Sequence, residues 1–288
     1  MPELPEVEIT AGLLDRALAG ATIESALAPG INVLRTFDPA LERLAGGSLV
    51  HVGRRGKLFV VQLTAADGEP LAAVIHLMSA GRLQLYGKLA SPRDRTSRLL
   101  LRLDSERELR LREFGSKQAA WVKLLREADL ETEPVLSALG PEAWPEPPAV
   151  KALQQLLGSA RPLYTLLRDQ HVIAGIGRSW GDEILHAAQL SPFKRGSDLS
   201  GTEVEALRAA IATTLGGAVD CYERTLSLPL PDKLPLPLSV HRHAGEPCPR
   251  CGTTIASISF EDYVLCYCPT CQTGGRVLKD RRLSRLLK

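Results

Sequence analysis

No apolar run in the chain approaches the roughly 20 residues that a membrane-crossing helix needs, which sets a helical membrane protein aside. The N-terminus lacks the basic stretch of a secretory signal; Glu3, Glu6 and Glu8 make it acidic instead. Lacking both features, the chain is expected in the cytoplasm. No segment repeats another. There is almost no charge excess: 35 basic against 33 acidic side chains leave +2, so any grip on nucleic acid must come from local patches rather than the whole-molecule field. Cysteine is nearly absent outside one region. Of six, Cys221 stands alone and five crowd between 248 and 271, which in such a chain argues for metal rather than disulfides.

What is present suffices for two domains and a small module. Hydrophobic residues are 44% of the 288 and charged residues 24%, enough to build sizeable cores. From Glu3 to about Ala19, Val7, Ala11, Leu14 and Leu18 recur at helical spacing and Gly20 provides a stop. Short runs follow at 48–52, 57–63, 71–77, 83–85, 99–103, 109–112 and 119–122. They are rich in Val, Leu and Ile and punctuated by Gly, Asp and Ser, as in an antiparallel sandwich or barrel. Five prolines between Glu131 and Pro148 mark a linker. Beyond it the spacing predicts helices over 150–157, 162–167 (Pro162 at the first helical position), 179–188 and 202–215. Leu226–Leu238, with four prolines, reads as a semi-rigid loop.

Four stretches are candidates for chemistry or binding. Cys248-Pro-Arg-Cys251 and Cys268-Pro-Thr-Cys271 are two C-x2-C pairs sixteen residues apart, the spacing of a four-cysteine zinc ribbon whose closed coordination leaves no open position for catalysis. Cys266 either competes as a ligand or is a strand residue. Asp169–Arg178 contains Gly175 and Gly177; it is either an ordinary helix connection or a turn whose free amides suit a phosphate. At the start, removal of Met1 would leave Pro2 as a terminal secondary amine. Such an amine adds to an aldehyde carbon and loses water to form an iminium, with Glu3 adjacent for proton transfer. Alternatively, Pro2 and Pro5 only stiffen a free end. The tail Arg276–Lys288, six basic residues against Asp280, is either solvated or a phosphate contact.

Pro2–Glu6, Arg54-Arg55-Gly56-Lys57, His76–Leu83, Phe114-Gly115, Asp169–Gly177 with Glu183, Ser191-Pro192, Gly245–Cys251 and Cys268–Gln272 together resemble the formamidopyrimidine-DNA glycosylase/endonuclease VIII family over nearly the whole chain. The resemblance implies an α+β protein. A β-sandwich domain with an N-terminal helix (1–132) precedes a linker (133–149), a helix–two-turn–helix domain (150–238), a zinc finger holding one structural zinc (239–275) and a basic tail (276–288). The two domains of this family clamp duplex DNA containing damaged bases or abasic sites, and the damaged base is flipped into a pocket. It implies a monomer, nucleoid-associated if bacterial. Carried over, Pro2 attacks C1′, Glu3 protonates the ring oxygen, Lys57 contacts phosphate and assists proton transfer, and Glu6 supports the site. DNA contacts fall to Arg54, Arg55, Met78, Arg112, Phe114, Gly175, Gly177 and Arg178.

Four positions depart from that pattern. Arg178 stands where the family has an asparagine that binds phosphate. Glu113 stands where a second arginine reads the orphaned base, and is expected to face the DNA as an acid. Met78 is one residue out of step for filling the void. Phe260-Glu261-Asp262-Tyr263 lacks the arginine that the family places there for phosphate binding and δ-elimination. The favoured reading is a divergent glycosylase and abasic-site lyase. A lesion-binding module without turnover, or a zinc-ribbon protein–protein adaptor, are the alternatives.

Overall fold

The computed structural model describes residues 2–30, 32–91, 94–115, 117–260 and 263–278. The chain divides into two compact units: 1–138 with 219–235, and 139–218 with 236–288.

The first unit is a β-sandwich with one helix. Its strands are β1 (Ile23–Leu27), β2 (Ser48–Arg55), β3 (Leu58–Thr64), β4 (Pro70–His76), β5 (Gly81–Tyr86), β6 (Ser97–Leu103), β7 (Glu108–Glu113) and β8 (Trp121–Arg126). They form two antiparallel sheets, β2-β3-β4-β8 and β1-β6-β7-β5. Alternation builds the core, with Phe59, Val61 and Leu63 of β3 meeting Leu99, Leu101 and Leu103 of β6 and Leu109 and Leu111 of β7 in one cluster. Helix α1 (Leu4–Leu18) adds Val7, Ala11, Leu14 and Leu18 to it, the positions its periodicity predicted. Truncating a fully buried leucine such as Leu14 to alanine costs roughly 2–5 kcal/mol. The sequence reading missed strand β1, as it did the short helices at Pro134–Ser137 and Pro269–Thr273.

The proline-rich loop after Thr225 belongs to this unit as far as Pro235. Gln84 donates to the Leu230 carbonyl (3.0 Å) and Arg82 to that of Asp232 (2.5 Å), while Leu228 packs on the core. The loop thereby lies against β5, the edge strand of the second sheet.

A short α2 (Pro134–Ser137) ends that stretch. The second unit holds α3 (Val150–Leu157), α4 (Leu163–Arg168), α5 (Arg178–Ala187) and the first part of α6 (Gly201–Thr225), then a hairpin of β9 (Ala256–Ser259) and β10 (Val264–Tyr267) and a single-turn α7 (Pro269–Thr273). Pro162 is the N-cap of α4 rather than its first helical residue. Helix α6 outruns the predicted 202–215 by ten residues. Gly216 and Gly217 each cost about 1 kcal/mol against alanine, and burial of Val219 and Tyr222 beyond them offsets that. No helix among the described residues is long and apolar enough to cross a membrane.

Candidate active site and metal centre

Residue Glu3 caps α1 in an extended conformation, and Pro5 occupies a first-turn position where a missing N–H leaves no bond unmade. The cap is reciprocal. The Glu3 carboxylate accepts from the Glu6 amide, and Glu6 Oε2 accepts from the Glu3 amide at 2.8 Å. Glu6 Oε1 accepts a 2.8 Å hydrogen bond from the Tyr222 hydroxyl of α6. All three side chains are buried, Glu3 at 3%, Glu6 at 5% and Tyr222 at 1% exposure. Burial, then the Glu6 charge, push the Tyr222 hydroxyl far up, so it stays a donor. Pro2, half-buried, directly precedes this locked turn.

A two-residue turn, Gly56-Lys57, joins β2 to β3. Gly56 at φ +57° fills a place that suits glycine, and Arg55 pairs across with Leu58. Arg54, with its side chain only 7% exposed, bonds Glu8 of α1 through Nε at 2.5 Å and so braces the hairpin against the helix. His76, at the end of β4 opposite Leu58, is brought down to about 4 by burial and then by the Lys57 ammonium. The imidazole is therefore neutral at pH 7, within the field of the Lys57 ammonium. Met78, at φ +50°, sets its sulfur 2.7 Å from His76 Nδ1.

At the end of β7 the strand register settles the Arg112-Glu113-Phe114 run and corrects one expectation. Leu109, Leu111 and Glu113 alternate onto the inner face, so Glu113 points into the sandwich (1% exposed) and not toward DNA. Its carboxylate accepts from the Ala119 (2.8 Å) and Ala120 (3.0 Å) amides and lies 3.6 Å from Arg98 Nε. Arg112 faces outward. Its guanidinium stacks 4.5 Å from the Phe114 ring and donates to the Tyr86 hydroxyl at 2.7 Å.

In the second unit the Gln170 side chain ties down the glycine turn. Its Oε1 accepts from Gly175, which has φ +106°, and its Nε2 donates to the Ile176 carbonyl at 2.8 Å. Gly177 caps α5 and Arg178 opens it. The Arg178 guanidinium lies 4.6 Å from the Tyr263 ring, and Arg168 lies 4.4 Å from the same ring and 4.8 Å from Tyr164. Phe260 stacks on Tyr263 at 4.4 Å. Glu261, Asp262 and the tail from Lys279 onward lie outside the described residues. Glu183 is a fastener, its Oε1 accepting from the amides of Ser239, Val240 and His241. Beside it Asp182, raised to about 6 by burial and opposed by His241 at 2.7 Å, also accepts from the Cys266 amide.

The four finger thiols, Cys248, Cys251, Cys268 and Cys271, lie within 4.8 Å of one another. The separations Cys251–Cys268 and Cys251–Cys271 are 3.5 Å and Cys248–Cys271 is 3.9 Å. A tetrahedron with Zn–S of about 2.3 Å has edges of about 3.8 Å, so the cluster fits one zinc ion. Burial and the neighbouring thiols push the Cys271 proton up; a bound dication reverses that penalty by holding the thiolates. Cys266 is outside the cluster, a buried β10 residue paired with Ser257, which decides between its two readings.

Sequence reasoning gave no role to Tyr222 or to Tyr263. Nothing local flags either, since each meets its partner only through the fold.

Comparison with known proteins follows the same division. Residues 1–116 match the formamidopyrimidine-DNA glycosylase N-terminal domain, 139–229 the formamidopyrimidine-DNA glycosylase H2TH domain, and 245–274 the zinc finger found in FPG and IleRS. A formamidopyrimidine-DNA glycosylase of Desulforamulus reducens is 31% identical over 290 residues, covering 94% of this chain and 99% of that one. An uncharacterized formamidopyrimidine-DNA glycosylase-like protein of Mycobacterium tuberculosis is 46% identical over 133 residues, 46% of this chain and 84% of its own. Among solved structures, Lactococcus lactis Fpg with abasic-site DNA superposes at TM-score 0.82 and 26% identity, over 94% of this chain and 99% of that one. The same protein with N7-benzyl-Fapy-dG DNA gives 0.83 and 25%, over 94% and 100%.

Proposed function

Because this chain belongs to the formamidopyrimidine-DNA glycosylase family of damaged-base DNA repair enzymes, we propose that it excises an oxidised base and cleaves the strand at the abasic site through Pro2. The substrate class is duplex DNA carrying a formamidopyrimidine, 8-oxoguanine or oxidised pyrimidine. Lactococcus lactis Fpg, of known structure, is bound to DNA containing N7-benzyl-Fapy-dG or an abasic site. The observation that carries the reading is the pair of buried carboxylates after Pro2, those of Glu3 and Glu6, each accepting from the other residue's backbone amide. Burying two acids is unfavourable, and Glu6 is held by the Tyr222 hydroxyl as well as by the helix cap.

With Met1 removed, the Pro2 lone pair attacks C1′ and the bond from C1′ to the base nitrogen breaks. The base leaves with that electron pair and takes up a proton. Glu3 protonates O4′ as the C1′–O4′ bond opens, and the proline nitrogen, having lost its own proton, closes the C1′ iminium. The iminium withdraws electrons from C2′. Loss of a C2′ proton then breaks the C3′–O bond and releases the 3′ phosphate, a β-elimination with no change in oxidation state. Hydrolysis returns Pro2. Lys57 contacts the phosphate beside the lesion and assists proton transfer, with Arg55 on the same hairpin. Arg54 acts on this site mainly by bracing the hairpin on Glu8.

The grip on DNA rests on Arg178, whose guanidinium offers a phosphate two parallel donors, beside the Gly175–Gly177 turn. Stacked Phe114 and Arg112 suit a wedge at the flipped base, and Met78 the void. Zinc, held by the four cysteines, supplies structure to the finger. The monomer is the working unit.

Borohydride trapping on an abasic-site duplex tests the proposal. The expected result is a covalent adduct of native protein that is lost in Pro2→Gly. Salt-sensitive binding with no adduct would identify a lesion binder without turnover. Mass spectrometry showing retained Met1 would leave Pro2 with no free amine and defeat the mechanism.

A further inference from the structure

We propose that Tyr222 is a positioning residue of the amine site, its hydroxyl holding the Glu6 carboxylate ionised and in one orientation against the Pro2–Glu3 peptide. This inference rests on the reading of Pro2 as nucleophile. Tyr222 lies 216 positions from Glu6, is 1% exposed, and donates at 2.8 Å to Glu6 Oε1. The other Glu6 oxygen accepts from the Glu3 amide, which is the N–H of the peptide bond joining Pro2 to Glu3. Any turn of the Glu6 carboxylate is therefore felt one peptide unit from the proline ring.

Two donors on two oxygens do two things. They fix the plane of the carboxylate, and they favour its charged form, because a hydrogen bond to an ionised group is stronger than one to the acid. A phenol is well suited to this task. The titratable groups that face Tyr222 are Glu6 and Glu3 from α1 and Cys221 from its own helix, and all oppose loss of its proton, so it donates across the whole working range. The negative charge it secures is bonded to the Glu3 amide, one residue along the chain from the Pro2 nitrogen that becomes cationic. The forming iminium is thereby stabilised without a new group having to move.

The test measures cyanoborohydride trapping rates on an abasic-site duplex from pH 5 to 8 for the native protein, Tyr222→Phe, Glu6→Gln and Pro2→Gly. Tyr222→Phe removes one oxygen and keeps the ring. A lost hydrogen bond to a charged group corresponds to roughly one pKa unit. With the donor gone, Glu6 takes up its proton at higher pH, and this second proton adds to that of the terminal amine. The expected result is trapping about 3- to 10-fold slower than native at pH 5 and within about twofold at pH 8. Duplex affinity at pH 8 should be unchanged. A purely structural tyrosine predicts a uniform loss at all pH values, and that result, or an unaltered profile, overturns the inference. Should Tyr222→Phe fail to fold, Glu6→Gln decides. It keeps an acceptor for the hydroxyl and removes the charge, so a native rate and profile there overturns the inference as well. An adduct of the native protein whose reduced linkage maps by peptide mass analysis to a residue other than Pro2 overturns the Pro2 reading itself, whatever the tyrosine variant does.

Discussion

Restoring the arginine that the family carries at position 113 should damage this protein instead of improving it. The Glu113 carboxylate is enclosed by the sandwich and satisfies two backbone amides, those of Ala119 and Ala120, while facing Arg98, whose side chain is only 7% exposed. Glu113→Arg removes the acceptor from both amides and sets a second guanidinium beside Arg98 where no water reaches. Breaking a buried pair by loss of one partner costs roughly 3–5 kcal/mol. For a unit of this size each kcal/mol is worth roughly 2–4 °C of Tm. The sandwich should therefore melt about 10 °C lower, read by circular dichroism or calorimetry. Glu113→Gln, which retains one acceptor oxygen, should lose less. A Glu113→Arg protein with native Tm and a changed opposite-base preference would refute the assignment and put the side chain back at the DNA.

Two further outcomes follow from the site. Cys266→Ser should keep one zinc per chain by elemental analysis, whereas Cys271→Ser should lose it, because only the latter removes a ligand of the four-thiol cluster. For His76 the folded-state pKa, about 4, lies below the unfolded value of 6.5. Its contribution to stability is thus complete above pH 6.5 and is lost as pH falls toward 4, when the unfolded chain binds the extra proton. Urea unfolding at pH 7 and 4.5 should show His76→Gln losing about 2 kcal/mol less than the native protein over that interval.

Much of the architecture was legible along the chain because its signals are local. The α1 periodicity, the succession of short Val/Leu/Ile runs and the two C-x2-C knuckles each report on neighbours a few residues apart, and helix, sheet and finger stand where they indicated. Boundaries that depend on packing were not legible. Gly216-Gly217 looks like an end to a helix until the burial of Tyr222 beyond it is known.

At position 113 the information was present but misapplied. Leu109, Leu111 and Glu113 share one face by strand alternation alone, so an inward acid could have been read from the register.

The sequence by itself determined the chemical vocabulary: a proline behind the initiator, acids at 3 and 6, a lysine in a glycine turn, four thiols at ribbon spacing. The tertiary structure decided which of these groups are held, and by what. Tyr222 reaches Glu6 from 216 residues away, and Arg178 and Arg168 share the ring of Tyr263. Each of these contacts depends on closing a long loop of chain, and no pattern in the intervening residues records where such a loop closes.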